Sequence, residues 1–325
     1  MTTTEIPIAG RLVGTRHAPF VIAEMSGNHN QSLERALQIV EAAAASGANA
    51  LKIQTYTPDT MTLDLAEGDF FIGDAGSLWN GSSLYQLYGE AYTPWEWHEP
   101  IFRRARELGM TPFSTPFDDT AVDFLESLDV ACYKIASFEN TDLPLIRRVA
   151  ATGKPLIIST GMATVAELDE TVRAARQAGC RDLVLLKCTS TYTATADNTN
   201  ILTIPHMRAL FNCEVGLSDH TMGVCVAVAS VALGACAQGL GNCPHAFHVA
   251  GDTAVPLGFV ELTSPQRGSV DLQDEYTQSP CVVPANCPFT KTRPTLVLYP
   301  SLESASRNHW SACTPGSVTY VPKSL

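Results

Sequence analysis

Seven times between Phe20 and His220, a short apolar run gives way to a polar loop and then to a segment of helical periodicity. The runs are 20–23, 48–53, 110–114, 131–135, 155–159, 182–187 and 211–215. Apolar runs of this length, separated by helices, belong to a parallel sheet covered on its faces by those helices. The number of units favours closure over an open sheet. The expected class is therefore α/β, a (β/α)8 TIM barrel. No Gly-x-Gly-x-x-Gly loop follows the first run, which counts against a dinucleotide-binding sheet.

The helical segments carry their own punctuation. Ser32 opens one that runs to Ala45, with Leu33, Ala36, Leu37 and Val40 on one face. Others are expected over 94–108, up to Leu128, over 143–150, 165–177 and within 222–236. Residues 57–93 form a long connection rich in Gly, Asp and aromatics, and loops of that length in compact domains are usually functional. An eighth strand should start near Ala235, where Gly234, Gly239 and Gly241 fall within eight residues, a poor composition for a central strand. The expectation is a degraded or missing eighth strand, with a barrel domain over 1–236 and an irregular tail over 237–325. Ten of the 20 Pro (Pro244 to Pro322) and five of the 10 Cys (Cys236 to Cys313) fall in or next to that tail.

Composition narrows the partners. The formal charge of -12 and the lack of a basic cluster exclude a nucleic-acid partner. The longest small-apolar run, 224–237, is too short for a bilayer and contains Gly234, so no membrane partner is expected. The N-terminus lacks the pattern of a signal peptide, and the cysteines, without a Cys-x-x-Cys pair, read as reduced thiols of a cytoplasmic protein.

Polar residues gather where the apolar runs end, the place where ligands bind in parallel α/β proteins. Glu24 and His29 follow the first run, Lys52 and Gln54 the second, Thr115 the third, and Lys134, Ser137 and Glu139 the fourth. Ser159, Ser190 with Tyr192, and Ser218-Asp219-His220 continue the series. A Lys at a strand end is unusual unless it faces a ligand, which favours Lys52 and Lys134. Ser137, Ser159 and Ser218 suit helix capping as well as ligation, and the whole Ser-Asp-His turn can be read as a cap. Glu24 suits acid/base work or an ion pair with a Lys. His29 can cap the first helix or order its loop, and His98 is expected beside Trp95 and Trp97 on a helix surface. Trp79 and Tyr85 can line a pocket or pack the long loop, and His245 and His248 are expected to have no role.

Residues 15–236 resemble the sialic acid synthase family. The carriers are Ala23-Glu24, Asn28-His29, Lys52-Ile-Gln54, Phe113-Ser-Thr-Pro-Phe117, Tyr133-Lys-Ile-Ala-Ser-Phe-Glu139, Ile158-Ser-Thr-Gly-Met162, Leu186-Lys-Cys-Thr-Ser190 and Gly216-Leu-Ser-Asp-His220. The stretch around Trp79, Tyr85 and Tyr88, with Thr93-Pro-Trp-Glu-Trp-His98, looks like the pseudaminic branch. The resemblance implies condensation of phosphoenolpyruvate with an N-acyl amino sugar, a 2,4-diacetamido-2,4,6-trideoxy hexose, and water. It matches Lys52, Thr115, Lys134, Ser137, Ser159, Ser190 and Ser218 to phosphoenolpyruvate, and Gln54, Glu139, Tyr192 and Asp252 to the sugar. It matches Glu24 and His220 to catalysis, with His220 also holding a divalent metal of the Mn or Mg type that polarises the aldehyde oxygen. Both substrates are small molecules, and the resemblance implies a homodimer.

The resemblance stops abruptly. The family's eighth strand reads Val-Ile-Glu-Lys-His-Phe, and here Gly239 stands at the carboxylate position and Gly241 at that of a second metal histidine. No counterpart of the family's C-terminal antifreeze-like domain is recognisable; a change of reading frame or other replacement near codon 236 is the expected cause of the break, with genuine divergence as the alternative. Impaired activity is therefore expected. The alternatives are an N-acetylneuraminate synthase, a remnant that binds phosphoenolpyruvate without chemistry, and an aldolase using Lys134 or Lys187 as a Schiff base.

Overall fold

The computed structural model describes residues 5–74, 79–191 and 194–240. A hairpin comes first, β1 (Ile6–Ile8) paired antiparallel with β2 (Arg11–Val13). Ala9 and Gly10 between them take positive φ, 48° and 79°, as a two-residue turn matched to strand twist requires. Ile6, Ile8 and Val13 are buried in the main core. The Thr15 backbone bonds the carboxyl of Glu214, a residue that starts a barrel strand, so the hairpin covers the end where the strands begin.

Eight parallel strands follow: β3 (Phe20–Glu24), β4 (Ala50–Thr55), β5 (Thr111–Pro116), β6 (Tyr133–Ile135), β7 (Leu156–Ser159), β8 (Leu183–Cys188), β9 (Glu214–Asp219) and β10 (Ala237–Leu240). They close into a barrel in sequence order, with β10 between β9 and β3. The helices are α1 (Leu33–Ala45), α2 (Pro58–Met61), α3 (Leu84–Ala91), α4 (His98–Glu107), α5 (Asp119–Ser127), α6 (Leu143–Ala150), α7 (Val165–Gln177), α8 (Thr203–Phe211) and α9 (Cys225–Ala232). Ser32, Asp118, Asp142 and Thr164 cap α1, α5, α6 and α7 through their side chains. The serines at the strand ends are therefore not needed as caps. Val224 precedes α9, so Ser218-Asp219-His220 is not its cap either.

The expectation of a degraded or missing eighth strand is corrected. Gln238, Gly239 and Leu240 pair with Leu217, Ser218 and Asp219 on one side, and Ala237–Leu240 pair with Phe20–Ala23 on the other. Low strand propensity is outweighed here because the barrel interior has no room for side chains at this seam. A Cβ on Gly239 would lie 2.8 Å from Glu24 Oε1, and one on Gly216 would lie 2.7 Å from Leu186 Cδ2. Longer residues of neighbouring strands already fill the space. The turn into β10 is tied down by Arg208, which donates to the carbonyls of Val215 and Gly234. The barrel thus runs through Leu240, and the expected tail beyond it lies outside the described residues.

His98 is another correction. It starts α4 and is fully buried, not on a helix surface. Its Nε2 meets Thr55 Oγ1 at 2.8 Å, and Thr55 Oγ1 meets Ser114 Oγ at 2.6 Å. Ser114 in turn donates to the Ile53 carbonyl, so one buried network joins β4 to β5 behind the strand ends. Burial drives the His98 pKa down to about 4, which keeps the ring neutral. Cys132, Cys180, Cys188, Cys213 and Cys236 are free. Among the described residues no helix is long and apolar enough to cross a membrane.

Candidate active site

The carboxyl ends of the strands open into a cavity of about 480 Å³. Alternation along each strand decides what faces it. In-register partners share a face, so Glu24 beside Lys52, Gln54 beside Thr115, and Ser218 between Cys188 and Gly239 all turn inward. Glu24, Lys52, Gln54, Lys134, Ser137 and Glu139 line the cavity, together with Ser159, Ser218 and His220. Thr115 lies beside Gln54 with its hydroxyl buried and without a partner, and it is not part of the cavity lining. Ser190 lies at the edge, its Oγ 3.7 Å from Cys188 Sγ. Tyr192 and Asp252 lie outside the described residues, as do His245 and His248.

The charged floor is tightly coupled. Lys52 Nζ is 3.4 Å from Glu24 Oε2. Lys134 Nζ donates to Ser159 Oγ at 2.5 Å and to the Ile135 carbonyl at 3.2 Å. Burial opposes the ionised form of Glu24, but Lys52, Lys134 and His220 outweigh it and hold the carboxyl below its usual range. Burial, and then the charge of Lys52, lower Lys134 to about 8 against the pull of Glu24. Two ammonium groups against one carboxylate leave a net positive floor in a chain that is acidic overall.

The opposite wall is aromatic. Tyr56 packs edge-on against Tyr88 at 5.8 Å and Phe117 at 5.3 Å, and Trp79, Met61 and Leu87 extend the surface. Most of it comes from the long connection between β4 and α4. Glu139 lies between the two walls. Its Oε2 is buried without a partner, and burial raises its pKa. His29 belongs to neither wall. It is buried, with Nε2 3.1 Å from Thr93 Oγ1 and Nδ1 accepting from Gln31 N, so it orders the loop after β3.

Sequence reasoning passed over Cys188, which ends β8 inside the cavity. Burial alone would raise its pKa, but hydrogen bonds from His220 and Ser137 and the charge of Lys134 bring it to about 7. Its place in Leu186-Lys-Cys-Thr-Ser190 was the available signal. Lys187, an aldolase candidate, is turned away from the cavity: its Nζ donates to the Cys188 carbonyl and to Thr189 Oγ1.

Of the metal ligands that the resemblance implies, His220 is the one within the described residues. Among those residues no group of three or more His, Cys, Asp or Glu could hold an ion. The donors among the described residues do not make up a metal centre.

A family model described as the NeuB family matches residues 39–237, which includes β4 through β9 and the start of β10. The chain belongs to the NeuB family. It is 48% identical over 216 residues to the pseudaminic acid synthase of Campylobacter jejuni serotype O:2, covering 66% of this chain and 62% of that one. It is 44% identical over 217 residues to the pseudaminic acid synthase of Helicobacter pylori, covering 67% and 63%. A crystal structure of the N-acetylneuraminic acid (sialic acid) synthetase of Leptospira borgpetersenii, in complex with citrate, superposes with a TM-score of 0.65 at 25% identity. That match covers 73% of this NeuB-family chain and 77% of the other. The chain spans about 62% of the length of the first of these curated relatives.

Proposed function

We propose that this NeuB-family barrel condenses phosphoenolpyruvate with the open-chain aldehyde of an N-acyl amino sugar, as a pseudaminic acid synthase does. The observation that carries this reading is the pairing, in one cavity, of a Lys52–Lys134 floor ringed by serine hydroxyls with an apolar aromatic wall. The floor suits a small polyanion bearing phosphate and carboxylate, because ammonium groups and hydroxyls supply charge-assisted hydrogen bonds. The wall suits the methyl groups of a 2,4-diacetamido-2,4,6-trideoxy hexose. The two Campylobacter and Helicobacter relatives support that choice of sugar.

In this reading the enol carbon of phosphoenolpyruvate attacks the aldehyde carbon, and the aldehyde oxygen becomes a hydroxyl by taking up a proton. Water adds to the phosphate-bearing carbon, the bond from that carbon to the phosphate oxygen breaks, and phosphate leaves with a nonulosonic acid. Glu24 is ionised, buried and 3.4 Å from Lys52, and its carboxylate receives the proton of the attacking water. Lys52, Lys134, Ser137, Ser159 and Ser218 hold the leaving phosphate and the carboxylate. Phosphate release from phosphoenolpyruvate and the trideoxy sugar, followed with the whole chain, tests this. Turnover supports it, and its absence with both substrates bound defeats it.

One observation favours a second reading. Gly239 stands where the resembling family carries a carboxylate, so among the described residues of β3, β9 and β10 Glu24 is the one acid that lines the cavity. A protein that binds phosphoenolpyruvate without releasing phosphate fits that loss. Calorimetry beside the release assay separates the two.

A further inference from the structure

Three loops meet above the charged floor, and a single side chain outside the cavity lining holds two of them. Asn140, in the connection from β6 to α6, is 2% exposed. Its Nδ2 donates to the Ser159 carbonyl at 3.3 Å and to the Gly161 carbonyl at 3.1 Å, both at the end of β7. Facing two carbonyls, the amide can only present its NH2, so the chemistry settles its orientation. Its own backbone carbonyl is held from the other side by the Thr171 hydroxyl of α7. The Gly161 N–H, fixed by this clamp, donates to Ser137 Oγ at 3.2 Å. A Cβ on Gly161 would lie 2.8 Å from Ser137 Oγ and would also strike Ser190 Oγ. Only a bare backbone, held at this height, lets Ser137, Ser159 and Ser190 converge.

We infer that Asn140 is a positioning residue for the anion site: it sets the loop after β7 against the loop after β6, so that Ser137, Ser159 and the Gly161 backbone form one cradle for the phosphate-bearing substrate. The inference rests on the proposed function for the identity of that anion, but the clamp itself is a property of the free protein. Asn140 touches neither substrate nor the reacting atoms. Loss of its two donors leaves two buried carbonyls unpaired and frees Gly161 to shift. A carboxylate in its place repels both carbonyls.

The test uses the full chain with Asn140→Leu, Asn140→Asp and Thr171→Val. In the ligand-free protein, hydrogen exchange at the Gly161 amide accelerates on the order of 10-fold in Asn140→Leu, while exchange in β3 and β4 stays as in the parent. Thr171→Val, remote from the cavity, gives a smaller acceleration at the same amide and serves if Asn140→Leu does not fold. Phosphoenolpyruvate affinity by calorimetry falls by about 10–100-fold in Asn140→Leu, with the KM for the sugar unchanged. Asn140→Asp loses at least as much at neutral pH and regains affinity on acidification, when the protonated acid donates one hydrogen bond. Unchanged exchange at Gly161 in Asn140→Leu and Thr171→Val overturns the clamp, whatever the protein binds. A parent chain that binds no phosphoenolpyruvate defeats the functional reading instead, and accelerated exchange in that same chain still sustains the clamp.

Discussion

Between β6 and β8 the barrel mouth carries Lys134, Ser137, Ser159 and Cys188, whereas the seam of β9, β10 and β3 carries Gly216 and Gly239. The first arc is crowded with donors whose hydrogen bonds run from loop to loop. The second is closed almost entirely by backbone pairing, and its interior is filled by Glu24 and Leu186 reaching in from adjacent strands. Side-chain hydrogen bonds dominate the first arc, and interior volume limits the second, where Glu24, Ser218 and His220 still reach the cavity. A glycine that would weaken an open strand is what allows a carboxylate to stand at the junction of the two.

Substitutions that cross this division should have the largest effects. Glu24→Gln keeps the volume at the seam and removes the charge. Phosphate release is expected to fall by about 10²–10⁴-fold while phosphoenolpyruvate still binds. Equal loss of binding and turnover would place Glu24 in the anion site instead.

The polar arc is also expected to respond to pH. The pKa of Lys134 is depressed to about 8, so its charge is present below that value and lost as pH rises through it. Phosphoenolpyruvate affinity should hold near neutrality and decline above pH about 8, approaching tenfold per unit. An affinity that stays flat to pH 10 would remove Lys134 from the site.

The glycine seam should respond in stability. Gly216→Val forces a side chain against Leu186 and the Ala237 carbonyl. It is expected to destabilise the fold by about 1–3 kcal/mol, read as a lowered midpoint in urea. A neutral result would mean that β10 is not packed against β9 as described.

How much of this was legible in the sequence differs between the same two arcs. The place of Lys52 and Lys134 at the cavity could be read directly, because a Lys at the carboxyl end of a parallel strand is unusual unless it faces a ligand, whereas the serines there suited helix capping as well. Helix α1 was equally plain from its Ser32 cap and apolar spacing, and α6 and α7 fall on the expected 143–150 and 165–177. The seam misled, because propensity describes a strand alone and not one bonded on both sides. The strand at 211–215 was misplaced for a local reason: α8 runs to Phe211, and Asn212 turns the chain at φ 48° before β9 starts at Glu214. The aromatic wall and the His98–Thr55–Ser114 network join residues far apart in sequence, and no spacing pattern announces them.

That buried network supplies the smallest expected effect. His29 and His98 take up a proton only near pH 4 in the folded chain, against 6.5 for an unperturbed ring. The unfolded chain therefore binds more protons between those values. Stability should be full above about pH 6.5 and decline as pH falls toward 4. His98→Gln should lessen the loss of melting temperature between pH 7 and 5 by a few degrees. An unchanged slope would show that His98 titrates normally.

The measurement that bears most directly on the polar arc is calorimetric titration of the whole chain with phosphoenolpyruvate, in the parent and in Lys134→Met. The expected result is single-site binding in the parent, weakened roughly 100-fold or more when the ammonium group is removed. The same affinity in both proteins, or no binding in either, would contradict the assignment of this barrel mouth to phosphoenolpyruvate.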